Sequence, residues 1–284
     1  MEILKILDQW LIDAGHGAVT MSQPLSGGCI NHVSSITTDT GATFCLKTNP
    51  RAPSDFFISE AENLNALAAT NTVHVPIVIK VDSRYLLLEF IKPTTKAKNY
   101  WTGLAEQLAA CHNIVQPSFG FTQNNYCGET PQLNQKMQNG YAFFGEHRLL
   151  TQAKWALDKG LLLSSHLRQI ESIVAQLPNL IPAQKPALLH GDLWGGNLHC
   201  NENGMPVLID PACYWGWPEA DLAMTDLFGG FSDEFYSCYQ ECRQLEPGWR
   251  ERFPLYNLYH LLNHLNLFGT SYLYQVENVL NYYC

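Results

Sequence analysis

Apolar residues recur along this chain with two periods, and the change from one to the other divides it. The opening run MEILKILDQWLIDAGH carries Glu2, Lys5, Asp8 and Asp13 inside its apolar pattern, which predicts an amphipathic helix and not a signal peptide. From residue 19 to residue 91 the alternation is mostly strand-like. Residues 33–38 and 42–48 read as strands joined by the turn at Asp39-Thr40-Gly41. Phe57, Ala61, Leu64 and Ala68 repeat at helical spacing and predict a helix over 55–69. Residues 77–81 and 85–91 look like a second hairpin, which Lys92-Pro93 breaks. Beyond it the period turns helical, with candidate helices over 101–115, 137–157, 163–177, 219–228 and 250–279. Between the first two lies a polar segment, 116–133, containing Gly and Pro; loops of that length are usually functional or mobile. No internal repeat or low-complexity tract is visible. The expected architecture is α+β and bilobal. Residues 1–91 form a small antiparallel-sheet lobe with the N-terminal helix and one main helix, and 92–284 form a larger, mainly helical lobe.

Composition narrows the classes. With 284 residues and 46% apolar content the chain can bury a substantial core. A formal charge of −9 and the lack of a long basic run argue against nucleic acid or an anionic membrane as partner. No window approaches a membrane-spanning run of uncharged apolar residues. Nine scattered cysteines in an unexported chain are most simply free thiols, so a cytoplasmic, reduced protein is expected, and a monomer is favoured.

The most specific chemistry lies in His190-Gly191-Asp192-Leu193-Trp194-Gly195-Gly196-Asn197, followed by Asp210-Pro211-Ala212. A protein-kinase-like catalytic centre has this spacing. In-line phosphoryl transfer needs one carboxylate to orient the attacking hydroxyl and two more oxygen ligands to hold magnesium against nucleotide phosphates. Asp192 is the candidate base, and Asn197 and Asp210 are the candidate metal ligands. Asp and Asn beside Gly also occur in ordinary turns. However, 198–201 and 206–209 read as short strands joined at Asn203-Gly204, a strong hairpin signal, which sets the two ligands at the ends of one hairpin.

A nucleotide side can be traced upstream. Ser26-Gly27-Gly28-Cys29-Ile30-Asn31 sits between strand candidates, where Gly27 and Gly28 would let backbone N–H groups approach phosphate oxygens. Lys47 ends the next strand, and Glu60 follows on the helix; kinases use such a pair to hold and orient the α- and β-phosphates of ATP. Glu62 competes for that role but points away from the face of Glu60. Cys45 shares a strand face with Lys47 and should border the adenine. The strand through Glu89, Phe90 and Ile91 would offer its backbone to the adenine edge, chiefly at Glu89 and Ile91.

With these residues the chain resembles the fructosamine kinases, the ketosamine-3-kinase branch of the aminoglycoside-phosphotransferase-like fold. The resemblance runs through SGGCIN at 26–31, the Lys47 strand, Phe57 with Glu60-Ala61, Val75-Pro76 and LLHGDLWGGN at 188–197. It continues through DPA at 210–212, Glu219 with Asp221-Leu222-Ala223, FGGF at 228–231, and Leu261 to His264. It implies a protein-kinase-like fold and Mg2+- and ATP-dependent phosphorylation of the 3-hydroxyl of a ketosamine, small or protein-bound, which promotes deglycation. Gln132, Asn134, Arg148, Trp194, Trp217 and His264 are the acceptor-site candidates. The chain departs from the family where Trp217 follows Tyr214-Trp215-Gly216, a position that usually carries histidine. It departs again at Lys136 and Gly140, in a segment that usually carries two tryptophans.

Gly191 stands where protein kinases place the arginine that answers to a phosphorylated loop, and the stretch from Asp210 to Glu219 is short. Activity without activation-loop control is expected. His190 is expected to brace the catalytic loop, and Asp221 to cap or tie it down. A zinc triad of His190, Asp192 and His199 lacks convergent geometry, and no nucleophile elbow supports serine hydrolysis. A thiol at Cys29 beside phosphate could be oxidation-sensitive, with an inert small residue as the plainer reading. The rival functions are a kinase of another hydroxylated acceptor, such as a sugar or amino alcohol, and a non-catalytic nucleotide-binding scaffold.

Overall fold

The computed structural model describes residues 2–25 and 31–284. The chain opens with α1 (Glu2–Asp13) and an antiparallel sheet of β1 (Val19–Pro24), β2 (His32–Thr38), β3 (Thr43–Thr48), β4 (Val78–Asp82) and β5 (Tyr85–Glu89), ordered β1-β2-β3-β5-β4. α2 (Phe56–Ala68) connects β3 to β4. Alternation along the strands explains the layers. Phe44, Leu46, Tyr85 and Leu87 share a cluster with Leu7 and Leu11 of α1. Cys45, Lys47, Leu86 and Leu88 therefore take the opposite face. On that side Phe57, Leu64 and Leu67 of α2 are buried, and α2 contacts β5. Burial on both faces is why residues 85–88 form an unbroken apolar run.

α3 (Tyr100–His112) follows an irregular stretch. The segment 116–133, expected as a plain loop, holds a small hairpin, β6 (Asn125–Cys127) and β7 (Thr130–Gln132), turning through Gly128. Strands of that length leave too little alternation to recognise. The helix expected over 137–157 is α4 (Gly140–Phe143), a π-helical stretch Phe144–Leu150, and α5 (Thr151–Asp158). It starts at Gly140 because the Asn139 side chain caps it, accepting from the N–H groups of Tyr141 and Ala142.

α6 (Ser164–Leu180) leads to β8 (Ala187–Leu189), then to the expected hairpin β9 (Leu198–Cys200) and β10 (Pro206–Leu208), and to β11 (Tyr214–Gly216), which pairs with β8. α7 (Pro218–Leu227), α8 (Asp233–Cys242), α9 (Phe253–Phe268) and α10 (Leu273–Tyr283) follow. α8 was not expected; Ser232 caps it, and its apolar face is only Phe235, Tyr236 and Tyr239. The single helix expected over 250–279 is broken at Gly269, whose φ of +83° ends α9 before a 3-10 turn, Thr270–Tyr272, and α10.

The chain divides into two compact units, Met1–Tyr100 with Leu198–Asp210, and Trp101–Asn197 with Pro211–Cys284. The β9–β10 hairpin belongs to the sheet-bearing unit: the Leu208 N–H donates to the His74 carbonyl and the Ala97 N–H to that of Gly204. The second unit is organised around α9, which is buried on nearly every side. Among the described residues no helix is long and apolar enough to cross a membrane, and the cysteines are free.

Candidate active site

In the sheet-bearing unit, β3 presents Lys47 toward α2, and α2 turns Glu60 to meet it, with Nζ 2.6 Å from Oε1. The same ammonium donates to Oδ1 of Asp210, which follows the β9–β10 hairpin. Glu62 is exposed. Lys47 is only 5% exposed. Burial opposes its charge, but the carboxylates of Asp210 and Glu60 outweigh that penalty, raise its pKa and keep it protonated. Asp210 has a φ of +54°, a left-handed conformation that aspartate and asparagine adopt more readily than other residues with a Cβ. Cys45 lies on the same strand face, its thiol pushed up to about 11 by burial.

Glu89, Phe90 and Ile91 line a cavity of about 210 Å³ together with His74, Val75 and Val207. The Glu89 N–H is already given to the Ile77 carbonyl at 2.8 Å, and Glu89 Oε2 accepts from the Ile77 N–H at 3.1 Å. That leaves the Glu89 carbonyl as the backbone group there that an adenine edge could meet; Phe90 and Ile91 follow the end of β5. Gly27, Gly28 and Cys29 lie outside the described residues.

In the helical unit the loop after β8 is held from beneath. Asp221, in the first turn of α7, accepts the His190 N–H at 2.7 Å through Oδ2 and the Gly191 N–H at 2.8 Å through Oδ1. His112 of α3 reaches the same carboxylate with Nε2 at 3.2 Å, while its Nδ1 meets the Tyr239 hydroxyl at 2.7 Å. Burial pushes the Asp221 carboxyl up, but His112, His190 and the Gly191 N–H outweigh it and hold the pKa below the usual value. Burial lowers the His112 pKa, so its ring is neutral near pH 7 and supports Asp221 as a hydrogen-bond donor. Gly191 has a φ of +83°, and an added Cβ would strike the Ala212 carbonyl oxygen. An arginine could not stand there without moving the chain.

Asp192 is half-buried. Its N–H donates to His190 Nδ1 at 3.3 Å. Asn197 Nδ2 donates to the Asp192 carbonyl at 2.8 Å and to Oδ2 at 3.0 Å. With Nδ2 so used, Oδ1 is the atom of Asn197 that remains to meet a cation. Asn197 closes one unit's segment and Asp210 the other's, so the chain passes between units at these two residues.

The six acceptor candidates separate into two groups. Gln132, Asn134 and Arg148 are interior, at 1%, 2% and 0% exposure. Arg148 donates to the Leu133 carbonyl at 2.6 Å and to Asn134 Oδ1 at 2.7 Å, and its guanidinium stacks on Phe143 and Tyr214. Gln132 donates to Asn125 and to the Ala212 carbonyl and accepts from Tyr259. Their side chains are taken up by one another, by Asn125 and by the chain after Asp210, while Asn134 also lines an open pocket with Phe121, Gln123 and Lys136. Trp217 is buried as well, packed among Phe119, Tyr141 and Tyr256. Trp194 and His264 are only partly covered and meet through Phe228, with ring centroids 5.8 Å and 5.0 Å apart. The reading of the sequence missed His112 and Tyr239 as supports and Phe228 as the bridging ring. His112 and Asp221 are 109 residues apart, so no local pattern joins them.

One unit thus offers a buried lysine clamped by two carboxylates, and the other an aspartate on a loop fixed by backbone donors and an asparagine. These are the parts from which phosphotransferase sites are made. A sequence profile of fructosamine kinase matches residues 5–284, and the chain belongs to that family. A Vibrio parahaemolyticus protein named as a candidate ketoamine kinase is 40% identical over 270 residues, 93% of this chain and 92% of its own. The chloroplastic protein-ribulosamine 3-kinase of Oryza sativa is 35% identical over 286 residues, 97% of this chain and 82% of its own. A solved structure from Thermobifida fusca, named as a candidate fructosamine-3-kinase, superposes with a TM-score of 0.89 at 30% identity, covering 97% of each chain. The α+β, kinase-like architecture expected from the sequence is the one the chain has.

Proposed function

We propose that this protein transfers the γ-phosphoryl group of ATP to the 3-hydroxyl of ketosamines, free or carried on protein amines, and so promotes their deglycation. Family membership across residues 5–284 is the observation that carries the acceptor class. The donor set fits the nucleotide and its metal. A protonated, buried Lys47 suits phosphate oxygens, while the Asp210 carboxylate and Asn197 Oδ1 are the hard oxygen donors that magnesium takes. Bound Mg–ATP would supply the phosphoryl group and neutralise charge on its oxygens.

Within this reading the residues divide the work. Glu60 holds Lys47 in place so that its ammonium can orient phosphates. Asp192 accepts the proton of the attacking hydroxyl, and Asn197 Nδ2 fixes the carboxylate that does so. Asp221 and His112 keep the loop from drifting, with no phosphorylated segment required. Trp194, Phe228 and His264 give the acceptor an aromatic surface. The sheet-bearing unit serves the nucleotide and the helical unit the acceptor; free thiols suit a reducing compartment such as the cytoplasm, and the chain acts as a monomer.

ADP release measured with ribulosamine, erythrulosamine and fructosamine adducts tests the reading. Turnover should depend on a ketosamine and fall by about two to four orders of magnitude in Asp192→Asn, which keeps shape but loses the proton acceptor. Near-parent turnover in that variant would remove Asp192 from its role. Turnover with sugars or amino alcohols but no ketosamine would establish the rival acceptor class, and no turnover with any acceptor would leave a scaffold.

A further inference from the structure

One cluster of metal-ligating side chains in the helical unit joins Asp192 to two residues that have no part in the reaction outlined above. Cys127 at the end of β6, Asp192 in the catalytic loop and His260 of α9 each bring one ligand atom within 4.8 Å of the others. Cys127 is 2% exposed and His260 3%, whereas Asp192 is half-buried. Two features separate this cluster from an ordinary interior contact. Nδ1 of His260 is buried without a hydrogen-bond partner, which native interiors rarely tolerate. The three ligands also come from three distant elements, so their meeting is a product of the fold and not of local sequence.

We propose that Cys127, Asp192 and His260 form an inhibitory site for zinc. The donor set of one thiolate, one carboxylate and one imidazole is that of a three-ligand zinc centre with water in the fourth position. Zinc–ligand bonds of roughly 2.0–2.3 Å set ligand atoms about 3.3–3.7 Å apart, so closing the cluster needs shifts of about 1 Å or less. Binding breaks the Cys127 S–H bond, forms a Zn–S bond and releases the proton to solvent; nothing is oxidised or reduced. The dication is then balanced by two anions, which suits an interior site. Magnesium would not compete, because it prefers oxygen donors and keeps its waters. Asn263 Nδ2 donates to the Cys127 carbonyl at 3.2 Å, which holds the end of β6 against α9 without using the sulfur. Binding is independent of the function proposed above. Inhibition rests on that reading, because it follows from zinc occupying the carboxylate assigned as base.

The probe is Co2+, which reports zinc-like sites by a thiolate-to-cobalt charge-transfer band and intense visible bands when tetrahedral. It is titrated into the full chain with excess Mg2+ present. One equivalent should give the band, and zinc should displace it. Cys127→Ala should abolish the band, and His260→Gln and Asp192→Ala should each weaken binding at least about tenfold. The Cys238→Ala/Cys242→Ala double variant controls for the more accessible thiol pair on α8 and should leave the band intact. No band, or one that survives Cys127→Ala, overturns the site; should that variant fail to fold, unchanged cobalt affinity in both Asp192→Ala and His260→Gln overturns it equally. In turnover assays the zinc concentration for half-inhibition should rise at least about tenfold in His260→Gln, each variant being compared with its own zinc-free rate. A band that behaves as expected, in an enzyme that zinc does not inhibit, would uphold the metal site and count against Asp192 as the base.

Discussion

Replacing Asp221 by asparagine isolates the support of the catalytic loop from its chemistry, since Asp221 itself is 1% exposed and lies beneath the chain it holds. Each of its oxygens accepts a different backbone N–H, from His190 and from Gly191. An amide has one oxygen, so whichever way it turns, its NH2 faces one of those donors. The loss is one charge-assisted hydrogen bond, about 1.5–3 kcal/mol, and one buried N–H left unsatisfied, about 1–3 kcal/mol. Together they predict a destabilisation of about 2.5–6 kcal/mol. At about 2 °C per kcal/mol for a chain of this size, the melting temperature should drop by roughly 5–12 °C. Calorimetry or dye-monitored melting reads the first effect. Steady-state kinetics below the melting range reads the second: kcat should fall at least about tenfold as the loop bearing Asp192 loosens. KM for ATP should change little, because Lys47, Glu60 and Asp210 belong to the other unit. A variant that melts within 2 °C or so of the parent and keeps its kcat would refute this account of the loop.

Other expectations follow from the same contacts. Glu60→Gln leaves Lys47 without its 2.6 Å charged partner on α2 and should lower kcat/KM for ATP by about a hundredfold, with little change in melting. Arg252→Leu strands the fully buried Glu219, whose two oxygens Arg252 meets at 2.7 and 2.6 Å; urea unfolding should show a loss of about 3–5 kcal/mol. Burial depresses His260 from 6.5 to about 3, so between those values the unfolded chain binds the proton and the fold does not. Its contribution is therefore present above pH 6.5 and lost as pH falls toward 3, and His260→Asn should flatten the acid limb of stability by up to about 1.4 kcal/mol per pH unit. Gly140→Ala would press a methyl to within 2.7 Å of the Trp217 ring and should cost about 1–3 kcal/mol in equilibrium unfolding.

Much of this was legible in the sequence because it was local. The β9–β10 hairpin follows from Asn203-Gly204, and the two-residue period assigned Cys45 and Lys47 to one face of β3. What escaped depends on contacts far apart in the chain. Gly191 reads as the absence of a regulatory arginine, yet its conformation and the Ala212 carbonyl beside it forbid any side chain. Arg148, Gln132 and Asn134 look like surface polar residues fit for an acceptor; a π-helical stretch and a three-residue hairpin, neither visible as periodicity, carry them into the interior. The break at Gly269 was equally hidden, because the apolar pattern continues on both sides of it.

Two positions at which the sequence departs from the family pattern, Gly140 and Trp217, are neighbours in the fold. Trp217 lies against Gly140: a Cβ built on that glycine would meet Trp217 Cζ2 at 2.7 Å and the Phe119 ring closer still. Trp217 stands in the turn before α7, where Phe119, Tyr141 and Tyr256 enclose it. The space beside it stays free of a side chain because residue 140 is glycine, and overfilling a packed interior is costly. Both positions therefore belong to packing in this chain, and their contacts give no reason to expect a changed acceptor. Differences in acceptor among relatives are better sought on the partly open rings of Trp194, Phe228 and His264, which no core contact obliges to be aromatic.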